Sequence, residues 1–175
     1  LNNGQNGSTG SNSDGGDGGA NTGGGGGGAG HDSGVGGNGG SGIVIVRFAT
    51  SSQASYSKSG GTASTIGSDT MIQWLSGSGS FTPNADGFGR VLIVGAGGSA
   101  GNGLSGAGAG AEVVEYTNFK FTANTQYNIS VAGTTSQGSG NESTAGNDGA
   151  DSSFGSQTAK GGGKGYARNT TQSQS

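Results

Sequence analysis

Glycine recurs at every third position from Gly4 to Gly40: of the 13 positions in that register 10 are glycine, and the exceptions are Ser13, Thr22 and His31. A strict period of three fits neither a helix, with its period of about 3.6, nor a strand, with its period of two. It fits the polyproline-II-like helix, which has three residues per turn and no internal hydrogen bonds. Glycine along one edge of such a helix lets a second backbone come close. Each N–H and C=O must then bond a neighbouring helix or water. Only one residue of the chain is proline, so the collagen version of this period, which needs abundant proline, is disfavoured. The pattern predicts extended glycine segments packed side by side through residues 4–40.

The chain has 175 residues, 45 of them glycine, with 27% hydrophobic and 10% charged residues and a net charge of −3. Low hydrophobicity with high charge is the usual mark of disorder, and here the charge is low and the apolar residues cluster in short runs. The length suits one domain with a small core. The acidic balance, with a pI of about 4.8, argues against a nucleic-acid partner. There is no cysteine, which removes disulfide and thiol chemistry. No apolar stretch approaches the length that spans a membrane. Both ends lie in low-complexity sequence, as expected of a piece of something longer.

Short apolar runs separate the glycine blocks. Ile43 to Phe48 is β-branched and reads as a strand. Met71 to Leu75 is a second, Arg90 to Val94 a third that is expected to be buried on both faces, and Tyr127, Ile129 and Val131 alternate with Asn128 and Ser130 at period two. Ala111 to Phe121 carries a further set of apolar residues, and Phe154 anchors the last block. The Ser/Thr/Gly-rich stretch 49–68 reads as a linker. No segment has a helical period, and glycine costs about 1 kcal/mol per helix position. The expected fold is therefore all-β: a small β-sandwich of short strands with glycine-rich, polyglycine-II-like helices and loops, and no significant α-helix. Its core is expected to hold Ile43, Ile45, Trp74, Leu92, Val94, Ile129 and Val131, with Phe81 and Phe88.

MIQWLSGSGSFTPNADGFGRVLIVGAGG, residues 71–98, resembles the opening of the glycine-rich domain of phage tail fibres and bacterial surface proteins. TQYNISVAG, NDGADSSFGSQTAKGGGKG and GGSGIVIVRF resemble its later blocks and closing strand. The blocks stand in permuted order: 1–48 matches the C-terminal part of such a domain, 49–68 the linker, and 69–175 the N-terminal part. The expected arrangement is a unit of a tandem repeat, or the end of one domain followed by the start of the next. The strand from Ile43 to Phe48 would then pair with a preceding copy, or with its own chain if the linker folds back. The resemblance implies polyglycine II bundles, and a structural or adhesive role.

Several motifs invite chemistry. Gly95 to Ala100 follows a strand in the dinucleotide pattern G-x-G-x-x-G/A, which requires a helix to receive the pyrophosphate. Gly97 to Gly101 has the G-x-S-x-G nucleophile-elbow pattern, which also requires a helix and a downstream histidine. Neither helix is expected in glycine-rich sequence, and the only histidine, His31, lies upstream. Asp148 and Asp151 sit in a run close to the calcium-binding nonapeptide, and Asp14 and Asp17 lie three apart in another glycine stretch. These four carboxylates are the candidate Ca²⁺ ligands, against the plainer reading of turn carboxylates in water. His31-Asp32 reads as a polar surface pair. Glu112 and Glu115, three apart in a strand, face opposite ways. Lys160, Lys164 and Arg168 near Tyr166 read as a solvated basic face.

The expected function is that of a structural and adhesive repeat unit of an extracellular fibre, phage tail fibre or bacterial surface filament, joining copies of itself head to tail. The alternative is a receptor- or carbohydrate-binding adhesin tip on a cell-surface glycan, and a weaker one an ice-binding surface. No catalytic residue and no cofactor beyond Ca²⁺ is expected, and an enzyme is the least expected class.

Overall fold

The computed structural model describes residues 14–30, 34–53, 55–139 and 144–167. Ten strands follow in order: β1 (Ile43–Ala49), β2 (Tyr56–Ser59), β3 (Thr62–Ile66), β4 (Asp69–Trp74), β5 (Gly77–Pro83), β6 (Gly87–Val94), β7 (Val113–Phe121), β8 (Tyr127–Val131), β9 (Ser152–Phe154) and β10 (Gln157–Ala159). They form two five-stranded antiparallel sheets, β3-β4-β1-β6-β7 and β10-β9-β8-β5-β2. The all-β sandwich is as the sequence predicts. Its core is aromatic at one end. Phe121 touches the rings of Phe48, Phe81, Phe119, Tyr127 and Phe154 with centroids 5.3–6.4 Å apart.

Inward-facing side chains shrink toward the other end. Along β1 they run Phe48, Val46, Val44 and then Gly42, all buried. Two sheets with filled faces pack about 10 Å apart. Where the side chains give out, the backbones meet. Ala96 N–H donates to Ala150 O at 3.0 Å, and Gly162 N–H donates to Ala96 O at 2.8 Å. The sandwich thus tapers into a bundle of glycine segments, most of which continue a strand: 34–42 leads into β1, β6 into 95–103, 105–112 into β7, β8 into 132–138, 144–151 into β9, and β10 into 160–167.

Three expectations need correction. The stretch 49–68 is no linker: a 3₁₀ turn at Thr50–Ser52 is followed by β2 and β3, which form an edge of each sheet. Nearly every residue of these strands is exposed, so no apolar alternation marks them. Second, Ile43, Ile45 and Leu92 lie half-buried on the outer face of the first sheet. The buried positions are Val44, Val46, Val91 and Ile93, while Trp74, Val94, Ile129 and Val131 are buried as expected. Third, Phe88 is 55% exposed, whereas Phe81 is fully buried. As to partners, β1 lies between β4 and β6 of its own chain, Val44 opposite Trp74 and Ile93.

Candidate functional site

The most specialised region is the glycine bundle, and its centre is 95–103. This segment lies among six others, and its N–H groups rotate among three of them. Gly95 and Gly98 donate to Glu112 O and Ala109 O, on segment 105–112. Ala96, Ser99 and Asn102 donate to Ala150 O, Asn147 O and Thr144 O, on 144–151. Gly97, Ala100 and Gly103 donate to Gly40 O, Gly37 O and Gly34 O, on 34–42. The carbonyls serve the other three neighbours. Ala96 O and Ser99 O accept from Gly162 and Gly165, Gly98 O from Gly26, and Ala100 O from Gly138. Successive residues therefore point to successive neighbours with a repeat of three, which satisfies backbone groups that burial would otherwise leave costly.

Close approach requires the missing Cβ. A Cβ on Gly97 would fall inside 3.0 Å of the Gly24 carbonyl, and one on Gly98 inside 3.0 Å of the Gly163 carbonyl. The obstacle is backbone on both sides. Over 14–30 and 34–40, hydrogen bonds run to neighbouring glycine segments. Gly15 and Gly18 donate to Val35 O and Asn38 O, and Gly27 donates to Gly16 O. The exception Thr22 falls in a turn, where its hydroxyl donates to Gly19 O at 2.7 Å and accepts from Gly24 N–H. Ser13, His31 and Asp32 lie outside the described residues, as do positions 4–13 of the glycine register.

The four candidate calcium ligands all fasten neighbouring segments. Asp14 Oδ1 accepts from Val35 N–H at 2.9 Å and Asp17 Oδ1 from Asn38 N–H at 2.7 Å. Asp148 Oδ1 accepts from Lys164 N–H at 2.8 Å and Asp151 Oδ1 from Gly161 N–H at 2.9 Å. Each carboxylate stands in for a backbone carbonyl on the bundle's outer side, and the spacing of three is the bundle's own repeat. Lys160 Nζ donates to Asp151 Oδ2 at 2.7 Å. That hydrogen bond, and then the one from Gly161, holds the Asp151 carboxyl below the usual carboxylate range, and the same contact raises Lys160. The sequence pairs Asp14 with Asp17 and Asp148 with Asp151, and the fold sets the two pairs on different segments, each fastened to its own neighbour. Among the described residues no three His, Cys, Asp or Glu side chains come together as a metal site.

Ser99 of the G-x-S-x-G pattern is fully buried, and its hydroxyl accepts from Asn147 N–H at 2.8 Å. Among the described residues no helix follows it or the overlapping G-x-G-x-x-G/A pattern. Glu112 Oε2 accepts from Lys160 N–H, and Glu115 pairs with Arg90. The expected basic face divides: Lys160 is paired with Asp151, Lys164 lies 5.9 Å from the Tyr166 ring centroid, and Arg168 is outside the described residues.

Sequence reasoning missed a second arrangement, on the outer face of the first sheet at the end away from the bundle. Arg47 of β1 stands directly opposite Arg90 of β6. They line a hollow of about 280 Å³ with Asp69, Phe88, Thr117 and Asn118. The two arginines lie 43 positions apart, and only the strand register joins them.

Comparison with curated proteins and with solved structures gives no match. A family model described as a glycine-rich domain matches residues 74–175. That span covers more than half of the chain and includes five of the bundle's segments and β5 to β10, so the chain belongs to the glycine-rich domain family.

Proposed function

We propose that this chain is a structural and adhesive unit of an extracellular fibre, of the phage tail or bacterial surface kind, and that its glycine bundle is a block of polyglycine II. The observation that supports the reading is the three-residue rotation of hydrogen-bond partners along 95–103. A helix with three residues per turn presents its N–H groups in three directions, and a central helix among six neighbours uses all of them. Such a block gains its order from backbone hydrogen bonds and needs few apolar side chains. That suits a rigid spacer exposed to water, with a low-charge surface of Ser, Thr and Asn.

Copies joined head to tail would extend the block into a fibre, since a contact between unlike surfaces that does not close propagates. Joining of this kind would leave β1 in place between β4 and β6 of its own chain. The experiment has two arms. A crystal structure should give φ near about −75° and ψ near about +145° through 95–103. Electron microscopy of the protein, alone and in its full-length context, should show filaments of end-to-end copies. Helical or strand dihedrals would overturn the polyglycine II assignment, and a monomer in both contexts would overturn the fibre. The adhesin-tip alternative gains support from the hollow at Arg47 and Arg90.

A further inference from the structure

The hollow on the first sheet breaks several rules of sheet construction at one place. Like charges directly opposite on neighbouring strands destabilise a sheet, yet Arg47 and Arg90 form such a pair. Beside them the β6–β7 register slips. Gly89 is opposite Phe119 and Val91 opposite Tyr116, so Thr117 and Asn118 together face Arg90 alone. This is a β-bulge, a device that re-aims side chains and is over-represented beside active sites. Phe88, two residues before Arg90 and so on the same face, leaves more than half of its surface in solvent. Local rules are broken together most often where a function requires it.

The electrostatics define a ligand. Arg47 Nε donates to Asp69 Oδ2 at 2.8 Å, and Arg90 Nη2 donates to Glu115 Oε1. Each carboxylate thus takes one N–H of its guanidinium from a flanking strand, Asp69 from β4 and Glu115 from β7. Asp69 and Glu115 hold the two arginines across β4-β1-β6-β7, and each guanidinium keeps further N–H donors beyond that one bond. All four side chains are partly exposed, between 27% and 53%. A planar guanidinium fork is the group that best matches a carboxylate. The rest of the lining offers an aromatic ring, a hydroxyl, an amide and the carboxylate of Asp69, which is an apolar platform with few polar groups to fix orientation.

We propose that this hollow binds a carboxylated saccharide, with the carboxylate between Arg47 and Arg90, the apolar face of the sugar ring on Phe88, and the ring hydroxyls toward Asp69, Thr117 and Asn118. The site goes beyond the fibre reading and does not depend on it.

The test uses the whole chain and follows NMR shifts during titration with three carboxylated sugars: galacturonate, glucuronate and N-acetylneuraminate. Galactose and glucose are the neutral counterparts, and sulfate is the bare anion. At least one acidic sugar should bind saturably, with shifts confined to Phe88, Arg90, Arg47 and Asn118. The neutral sugars should bind at least tenfold more weakly, and so should sulfate. Arg47→Gln and Arg90→Gln should each weaken binding at least tenfold, and Phe88→Ala severalfold. Phe88 and Arg90 are exposed and Arg47 is half-buried, and unchanged shifts elsewhere would show that the variants fold. Binding of none of the acidic sugars would overturn the proposal, as would equal binding of galactose or sulfate, or unchanged affinity in the arginine variants. Filament formation is measured separately, so the fibre reading can fail while this site stands, and the reverse.

Discussion

The two halves of this molecule reach order by opposite means. In the sandwich, large side chains fill the space between two sheets, and the cluster of rings centred on Phe121 is the fullest expression of that. In the bundle, side chains are nearly absent, and hydrogen bonds between backbones replace them. The sandwich fails when a side chain is removed, and the bundle fails when one is added. Because most segments run straight from one half into the other, the same chain changes strategy within a residue or two, at Gly42 and Gly95.

The sharpest test adds side chains at the bundle's centre. Gly97→Ala with Gly98→Ala would place two Cβ atoms against carbonyls of different neighbours. Overpacking costs about 1–3 kcal/mol per site, and here the obstacle is backbone, so about 6 kcal/mol is expected for the pair. Hydrogen exchange should show loss of amide protection through 95–103. Gly163→Ala is the control: a Cβ there meets nothing within 4 Å, and the change should stay within about 0.5 kcal/mol. Equal effects at the two sites would break the comparison.

Next comes removal of a side chain from the sandwich. Phe121→Ala should cost about 3–5 kcal/mol in denaturant unfolding, because Phe121 is fully buried among other rings. If the two halves are one cooperative unit, this variant and the glycine variant should each melt in a single transition. Two separate transitions would show that the taper does not couple them.

How far the sequence displays each strategy differs. The glycine period is visible because a strict repeat of three has one geometric reading, and Thr22 interrupts it where the chain turns. Which segments become neighbours is invisible, since glycine carries no side chain to specify a partner. The central place of 95–103 emerges only from the fold. In the sandwich, Tyr127 to Val131 shows its alternation openly, but Ile43 to Val46 is apolar throughout and gives no clue to which face is buried. Edge strands β2 and β3 are hidden by their exposure. Arg47 and Arg90 look like solvated charges until the register of β1 on β6 sets them side by side.

A smaller effect is expected at the clips on the bundle's edge. Asp17→Ala removes the acceptor for Asn38 N–H and should cost about 1 kcal/mol, the ordinary net value of one hydrogen bond. Asp17→Asn keeps an acceptor oxygen and should cost less. If Asp17→Ala leaves exchange at Asn38 unchanged, the clip contributes nothing, and the bundle is held by backbone alone.

The smallest effect separates charge from geometry at Asp151. Its carboxyl takes one hydrogen bond from Lys160 Nζ and another from Gly161 N–H, and both lower its pKa below the ordinary 3.8. A carboxylate lowered on folding contributes stability that is full above its unfolded value and lost as pH falls through its folded value. Lys160 is raised above the ordinary 10.5, so its share is full below that value and lost as pH rises through the folded one. The pair therefore acts across the whole neutral range and fades only at the two extremes. Both side chains lie at the surface, and salt should weaken the pair further. A carbon-detected titration of the Asp151 carboxyl should give a midpoint below 3.8, and Lys160→Met should move that midpoint upward. Protection of the Gly161 amide should fall over the same acid interval in the wild type and stay flat in Asp151→Asn, which keeps an acceptor oxygen at every pH. If protection falls equally in both, the acid response belongs to the bundle as a whole. The carboxylate would then be an ornament on a structure that backbone hydrogen bonds already hold.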